Sequence, residues 1–464
     1  MAIHCPVMIL WRQRFSLAGR EEKMTDLQLS IDWLTTDEKD ALLRDTSGYL
    51  TVNVAGTNLT THFDIWSKKV CESVLVSAYP LAAWLVNSWW RLHYEPLSKP
   101  GIKPSHDWRM AHELGAANHG YVWPALLFSP DGEAMNIWAE ALVQENQSVS
   151  YLAALRGAKS VALADFSREL DTFISAVIER QTAMGHRSTD LSALWTLLQD
   201  ERADAETANM RKLEARLGYD AESCPDDLLQ RIMHFGQVTG NAAMDELAPV
   251  LGRKDEAHVL TAIDNLIDLK GIEGKPEIEP FGIGPCCPQL APWHQGVKAA
   301  KALRRQMGNI EKPVADGDLY TLLGLTSGAV NGYDVNRRCA VSVARPAGNG
   351  AFEYLPRKRH PDARRFEFAR FLGGYCMGSS ESPGWLVSSE LTTARQKRQR
   401  AFAAEFLCPV ESLTGFLAGD LSENAIEDAS DYFGVSEQTV TSVLQNNGYL
   451  ENPRECDLPY RLVC

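Results

Sequence analysis

A stretch rich in proline and glycine divides this sequence of 464 residues into separate structural units. Residues 271–292 contain five prolines and four glycines, a composition typical of a boundary. The 120 or so residues before it are rich in alanine, leucine and glutamate and carry long amphipathic runs, which predict a helical unit. The total length fits about two to four domains.

We predict four segments along the chain. The predicted fold class is mainly α with smaller α+β parts, in a multidomain chain. The segments are an N-terminal extension (1–25), an aromatic-rich α+β domain (26–149), a helical domain (150–283) and a C-terminal domain with a helical tail (284–464).

Local patterns predict the main elements of each segment. Residues 49–54 are rich in β-branched residues and predict a strand, with 59–63 as its hairpin partner. Apolar residues at helical spacing predict a helix over 67–94, with Trp84, Trp89 and Trp90 in a core. The other predicted helices are 161–179, 190–217, 297–307, 318–325, 363–376, 389–407 and a helical tail over 422–449, and the other strands are 339–344 and 352–355.

Charge and cysteine content limit the classes of function. There are 46 Lys and Arg against 60 Asp and Glu, a net charge of −14, which argues against a surface that binds nucleic acid throughout. The ten cysteines have no repeated CxxC spacing and suit reduced thiols. No apolar run reaches the ~18 residues of a membrane span. We therefore expect a cytoplasmic protein without membrane contact or cofactor.

Three sequence blocks follow one another in the C-terminal third. The first is the helix 296–307 followed by Leu-Tyr-Thr-Leu-Leu-Gly (319–324). The second is Arg-Arg-Phe-Glu-Phe-Ala-Arg-Phe-Leu-Gly-Gly-Tyr (364–375), and the third is Arg-Ala-Phe-Ala-Ala-Glu-Phe-Leu-Cys-Pro (400–409). In order and spacing these blocks resemble the ImmA/IrrE family of metallopeptidases, with the second block in the frame of the family's zinc helix. The match spans about residues 293–450, and the resemblance implies a zincin-like fold there.

The resemblance keeps the frame of the zinc helix without its chemistry. Arg370, Phe371 and Gly374 stand at the three functional positions of the family's H-E-x-x-H motif, and Gln396, Lys397, Arg398 and Gln399 stand where its third, acidic ligand is expected. A guanidinium has no lone pair for a metal. We therefore expect a pseudopeptidase without catalytic zinc.

Two interpretations of the substituted site remain open. If the fold is retained, Arg370 and Arg398 would face the former metal position from two helices, balanced by Glu405, Glu367 or an anionic ligand. Alternatively, both arginines reach the surface or pair internally.

The segment 357–400 reverses the overall sign of the chain, with ten Lys and Arg against four acids. Such a patch suits a phosphate backbone or an acidic protein surface, and it also suits an ordinary solvated face. The candidate anion or partner contacts are Arg357, Lys358, Arg359, Arg364, Arg365, Arg370 and Arg398.

Two further motifs carry weaker signals. Ala-His-Glu-Leu-Gly (111–115) copies part of a zinc helix, so His106, His112, Glu113 and His119 form an alternative metal site, against the interpretation as ordinary polar groups. The tail has a helix-turn-helix cadence around Gly434. Residues 420–453 hold seven acids and no Lys or Arg, which argues against DNA contact.

These observations leave three hypotheses. The leading one is a non-catalytic regulatory or recognition protein with a protein partner, in the setting of bacterial stress response, mobile-element control or phage defence that the resemblance implies. The main rival is an active zinc metallo-endopeptidase that cleaves a repressor-like protein. The third is a nucleic-acid-associated factor that uses the basic 357–400 segment.

Overall fold

The computed structural model describes residues 26–97, 103–143, 147–252, 256–281, 291–335, 339–378 and 384–451. The predicted N-terminal extension lies outside the described residues. Within them, many helices alternate with small antiparallel sheets. A mixed architecture, α with α+β parts, is thus confirmed.

Fourteen strands occur in the described part of the chain. They are β1 (Leu27–Trp33), β2 (Ser47–Val54), β3 (Thr57–Asn58), β4 (His62–Asp64), β5 (Lys69–Cys71), β6 (Val74–Ser77), β7 (Ala125–Pro130), β8 (Ala134–Glu140), β9 (Val149–Tyr151), β10 (Lys159–Ala162), β11 (Ile272–Gly274), β12 (Ser342–Gly348), β13 (Ala351–Leu355) and β14 (Leu386–Ser388).

Eighteen α-helices accompany them in the same residues. They are α1 (Ala41–Asp45), α2 (Ala78–Asn87), α3 (Trp89–Tyr94), α4 (His106–His112), α5 (Leu163–Ala183), α6 (Asp190–Ala203), α7 (Ala205–Leu217), α8 (Asp226–Thr239), α9 (Asn241–Leu251), α10 (Glu256–Asp268), α11 (Pro292–Gln306), α12 (Asp316–Leu322), α13 (Ser327–Gly332), α14 (Pro361–Cys376), α15 (Ala394–Leu407), α16 (Val410–Leu417), α17 (Glu423–Phe433) and α18 (Glu437–Asn446).

Three small antiparallel sheets form the N-terminal region. In the first, β2 pairs with β1, β3 and β6; the second has the order β10-β8-β7 and the third β5-β4-β9. Along β2 the alternate residues Leu50, Val52 and Val54 are fully buried, because successive side chains of a strand point to opposite faces.

The predicted helix over 67–94 is wrong in its first part. Residues 69–71 and 74–77 are the strands β5 and β6, and the helices begin only at Ala78. Valines at positions 70, 74 and 76 favour extended backbone, and Ser77 then caps α2 by accepting a hydrogen bond from the amide of Tyr79. The predicted hairpin partner over 59–63 is also wrong, because β3 pairs with β2 whereas β4 joins a different sheet.

Helices α5 to α7 share the core of the N-terminal region: α5 packs on its strands, whereas α6 and α7 pack on α2 and α3. One continuous cluster of buried apolar side chains extends from Leu27 to Ala215 and includes Phe166 and Ile174 of α5. The predicted boundary at 149/150 therefore falls inside a shared core. The predicted helix over 190–217 is interrupted at Asp204, whose carboxylate accepts a hydrogen bond from the amide of Thr207 and caps α7.

The C-terminal sheet, of order β11-β13-β12-β14, is covered on both faces. Phe352 and Tyr354 pack into a core with α11, α14 and α15. Val343, Leu355 and Val387 pack instead against α8, α9 and α10. Adjacent residues of the same strands thus serve two different cores, and the helical unit is part of the structure that surrounds this sheet.

Most predicted elements of the C-terminal third are confirmed. Helices α12 and α14, strand β13 and the tail helices α17 and α18 lie close to their predicted bounds, whereas helix α11 begins five residues earlier than predicted and strand β12 is displaced by three to four residues. Helix α15 begins five residues later than predicted, at Ala394. No helix in the described ranges combines the length and apolar character needed to cross a membrane.

A glycine allows α11 to approach α15 very closely. A Cβ atom added at Gly296 would lie 2.3 Å from the carbonyl oxygen of Arg398 and 3.0 Å from the amide nitrogen of Phe402. Since these neighbours are main-chain atoms of a helix, they cannot move aside cheaply.

We expect Gly296→Ala to lower the free energy of unfolding by about 1–3 kcal/mol, because the methyl group forces the two helices apart. Chemical denaturation of the full chain measures this. Gly317→Ala is the matched control, since a Cβ there meets nothing within 4 Å and alanine raises helix propensity by at most about 1 kcal/mol. Equal stability of the two variants would contradict the prediction.

Candidate functional site

Two positions of α14 face two positions of α15, and we call these four residues the inter-helix site: Arg370, Gly374, Gln396 and Gln399. The Arg370 guanidinium donates a hydrogen bond to Oε1 of Gln396. A Cβ atom on Gly374 would lie 3.1 Å from Nε2 of Gln399. Residues four apart on one helix share a face, so the first and last positions of the predicted motif point to α15 together.

Arg370 is held inside the protein rather than presented to solvent. Arg370 is only 5% exposed. In addition to Gln396, its Nη2 atom donates a hydrogen bond to the carbonyl oxygen of Ser389 at 2.7 Å. Burial lowers the pKa of Arg370 to about 9, and the neighbouring Arg400 adds to this effect. The guanidinium therefore stays protonated at neutral pH and places a fixed positive charge in the inter-helix site.

Gln396 connects Arg370 to the strand end that precedes α15. Its Oε1 also accepts a hydrogen bond from the amide of Ser389 at 3.0 Å, and its Nε2 donates to the carbonyl of Val387 at 3.0 Å. Both ends of the amide are thereby used, so the side chain has one fixed orientation.

Thr393 extends this network to the helical unit. Its hydroxyl accepts from the amide of Gln396 at 3.2 Å, which caps α15, and donates to the Glu246 carboxylate at 2.8 Å. Burial raises the pKa of Glu246, which lies on α9, against the opposing effect of this hydrogen bond. A polar chain thus runs from Glu246 through Thr393 and Gln396 to Arg370.

Two carboxylates flank the inter-helix site. Glu367, buried on α14, accepts hydrogen bonds from the amides of Arg357 and Lys358 at 3.0 and 3.2 Å and from the Ser342 hydroxyl. Burial raises the pKa of Glu367 despite these donors. Glu390 lies near the surface and pairs with Arg357 and with Lys358 Nζ, the latter at 3.1 Å.

The positions of the predicted motif that lack polar groups serve packing. Phe371 is fully buried, and its ring lies 5.7 Å from that of Tyr354, edge to face. A Cβ atom on Gly373 would lie 2.6 Å from the Phe402 ring. Helices α14 and α15 therefore approach closely through Gly373 and Gly374, while Phe371 anchors α14 to the sheet.

Arg398 does not join Arg370. Its Nη1 contacts both oxygens of Glu133, at 2.7 and 2.8 Å, and Oε1 of Gln295 at 3.3 Å. The interpretation in which both arginines face one position is therefore wrong. Both pair with groups inside the chain, as the alternative interpretation predicts. Glu405, which was expected to balance them, lies 3.8 Å from Lys301 instead.

The remaining basic candidates also have partners within the chain. Arg357 and Lys358 pair with Glu390, Arg359 donates to the Val335 carbonyl, Arg364 donates to the Val330 carbonyl, and Arg365 pairs with Asp316 and donates to the Val314 carbonyl. The Lys397 ammonium contacts Asp131 at 2.7 Å. The basic 357–400 segment thus uses much of its charge to join elements of this protein.

The four residues of the alternative metal site are not gathered around one point. His112 is fully buried, with Nδ1 at 3.1 Å from the Phe128 carbonyl and Nε2 at 3.3 Å from Glu95. Glu113 accepts two hydrogen bonds from Arg109, while His106 and His119 are exposed. Burial lowers the pKa of His112 well below its ordinary value, and the charge of Arg91 adds to this.

The residues of the inter-helix site do not fit a zinc ion. Zinc in proteins is bound by imidazole, thiolate and carboxylate groups, whereas this site offers a guanidinium, two amides and a glycine. In the part of the chain that the structure describes, no three His, Cys, Asp or Glu side chains are grouped to hold a metal.

Comparison with protein-family models, with curated proteins and with solved structures gives no match for this chain. The properties of the site are therefore argued from its residues alone.

Sequence reasoning missed Glu246 and Thr393 as members of this network. One signal was present: Thr393-Ala-Arg-Gln396 fits the pattern of Ser or Thr followed three residues later by Glu or Gln, which marks a helix start. Nothing local pointed to Glu246, because it lies 147 residues away along the chain.

The charge of Glu390 gives a prediction about pH. Burial alone would raise its pKa, but Lys358 and Arg357 outweigh burial and lower the pKa from 4.5 to about 2. A lowered folded-state pKa stabilises the folded protein above the ordinary value, and this contribution is lost as the pH falls. We expect Glu390→Gln to lower the Tm at pH 7, and the difference from the unmodified chain to vanish between about pH 4.5 and pH 2.

Thermal melts of the full chain at a series of pH values test this. Glu179→Gln, at an exposed position on α5, is the control. The difference between its Tm and that of the unmodified chain should not decrease as the pH falls. A constant difference at all pH values would mean that Glu390 acts through shape rather than charge.

Proposed function

We propose that this chain is a non-catalytic regulatory or recognition protein whose C-terminal part is a degenerate ImmA/IrrE-like peptidase domain. The position of Arg370 carries the proposal. Its side chain lies between α14 and α15, where the family motif would require a metal ligand. The guanidinium donates hydrogen bonds to Gln396 and Ser389. A guanidinium there supplies the positive charge of a cation without its Lewis acidity.

The facing of α14 and α15 supports the resemblance. The motif requires two residues four apart on one helix and a third on the next helix, all directed to one point. Arg370 and Gly374 on α14 meet this spacing, and Gln396 and Gln399 approach them from α15. The arrangement suits a metal site whose ligands have been replaced.

The chemistry of the same residues disfavours the metallopeptidase hypothesis. A general base is needed beside the first ligand to take a proton from the attacking water. Phe371 stands there, buried against Tyr354, and an aromatic hydrocarbon cannot accept a proton.

The pairing of the basic segment disfavours the nucleic-acid hypothesis. Binding to a nucleic acid requires accessible cationic groups, which neutralise phosphates and displace the counterions condensed on them. Arg357, Lys358 and Arg398 already contact the carboxylates of Glu390 and Glu133, so binding a phosphate would first break these pairs.

We therefore favour a protein as the partner. The setting suggested by the resemblance is bacterial stress response, mobile-element control or phage defence. Purification of the full chain from its native host tests the class of partner: one stoichiometric protein supports the proposal, whereas stoichiometric nucleic acid with a steep salt dependence supports the alternative.

The metal content of the purified protein tests the proposal directly. We expect the purified full chain to hold well below one zinc ion per molecule by elemental analysis, because none of the four residues of the inter-helix site is a zinc ligand. An equimolar zinc content that EDTA removes together with a peptidase activity would overturn the proposal.

A second test of the proposal asks whether the facing positions of α14 and α15 have the geometry of a metal site. We expect the triple variant Arg370→His, Gly374→His and Gln399→Glu to bind one zinc or cobalt ion per chain, since it restores two imidazoles and a carboxylate on facing helices. Cobalt absorption in the visible range reports tetrahedral binding. The matched control carries the two histidines with Gln399→Met and should bind at least about tenfold more weakly.

Far-ultraviolet circular dichroism shows whether both variants fold. A folded triple variant that binds no better than its control would mean that α14 and α15 lack the geometry of a former metal site.

A further inference from the structure

The hairpin of β4 and β5 presents three exposed apolar residues, which we call the tip cluster: Ile65 and Trp66 in the turn and Val70 in β5. Trp66 is 84% exposed, Val70 60% and Ile65 40%. Tryptophan is normally largely buried, and neighbouring exposed apolar side chains mark interaction sites.

The chain around the tip cluster is well fixed. The amide of Ser67 donates to the Asp64 carboxylate at 2.6 Å, and the amide of Ile65 donates to the Ser148 carbonyl at 3.1 Å. Strand β4 pairs with β5 on one side and β9 on the other. The indole is thus presented on a framework of hydrogen bonds.

Strand β5 is the edge of this sheet. The order β5-β4-β9 leaves the outer side of β5 without a neighbouring strand among the described residues. An uncovered edge offers amide and carbonyl groups to another strand.

The two ends of β5 carry opposite charges, so two copies of the strand are complementary when they pair antiparallel. Lys68 and Lys69 lie at its N-terminal end and Glu72 follows its C-terminal end, and all three residues are exposed. When two copies of such a strand pair antiparallel, the N-terminal end of each lies beside the C-terminal end of the other. Lysine of one copy then meets glutamate of the other, twice.

We propose that this edge joins a second copy of the chain through antiparallel pairing of the two β5 strands. A two-fold axis perpendicular to the sheet keeps each side chain on its own face. In the proposed register the axis lies beside Val70, the central residue of β5, so that Val70 stands opposite Val70 of the second copy. The same rotation brings each Lys68 to the Glu72 end of the second copy. Trp66 then extends beyond its own strand and covers the second chain.

This inference is independent of the proposed function, because it involves neither the inter-helix site nor the basic 357–400 segment. The paired surface is short, so the dimer belongs to the weak class of interfaces. Sedimentation velocity of the full chain from about 1 μM to about 200 μM should show a reversible monomer–dimer equilibrium in the micromolar range.

Trp66→Ala should weaken dimerisation at least about tenfold, because it removes the largest apolar contact. Trp293→Ala is the control: Trp293 is 36% exposed on α11, away from β5, and its loss should leave the equilibrium unchanged. Since Trp66 is 84% exposed, its replacement should not alter the Tm at concentrations well below the dissociation constant, where the chain is monomeric.

A charge exchange tests the arrangement itself. Lys68→Glu and Glu72→Lys should each weaken self-association, because like charges then face each other twice. An equal mixture of the two variants should form a heterodimer at least as stable as the original dimer, since both pairs are again opposite in sign.

Three outcomes would overturn the proposal. The chain remains monomeric up to the highest concentration; it dimerises regardless of Trp66; or the mixture of charge variants fails to associate. A monomer whose Trp66 instead drives binding to phosphatidylcholine–phosphatidylserine vesicles would assign the tip cluster to a membrane surface.

Discussion

The hydrogen bonds around the first turn of α15 hold the parts of this protein together. Gln396 fixes Arg370 of α14 and the end of β14, while Thr393 accepts from the amide of Gln396 and donates to Glu246 of the helical unit. On the opposite side, the amide of Ala394 donates to the Asp131 carbonyl in the N-terminal region at 2.8 Å. Because these groups are buried, the loss of one partner leaves another polar atom unsatisfied, so the three regions constrain one another through a single helix turn.

The parts of the fold that the sequence predicted well are those with strong local patterns. Strand β13 alternates between partly buried and buried residues over most of its length, and helix α11 buries residues 295, 296, 299, 300, 303 and 304, at helical spacing. The helix predicted over residues 69–77 is wrong. Val70 and Val74 are four residues apart, a spacing that suits a helix, but the β-branched side chains and the pairing with β4 and β2 favour strands. The contact of α8–α10 with the C-terminal sheet joins distant segments, and no local pattern carries that information.

The candidate site shows the same division. The motif frame placed Arg370 and Gly374 on one helix face, and the structure agrees. The partner of Arg398 was missed because Glu133 lies 265 residues earlier. A dense run of lysine and arginine looks like an exposed basic face when composition is considered alone. Its charges are instead shared among Glu390, Asp316 and main-chain carbonyls, and pairing of this kind depends on tertiary structure.

The double covering of the C-terminal sheet also governs the order in which the protein can be completed during synthesis. Helices α8 to α10 leave the ribosome before strands β12 to β14, yet their buried side chains, such as Phe235 and Ile263, pack with Val343 and Val387 from those strands. The apolar face of helices α8 to α10 therefore stays exposed until the later strands emerge from the ribosome. Translation speed and chaperone binding over that interval become part of how this protein reaches its native state.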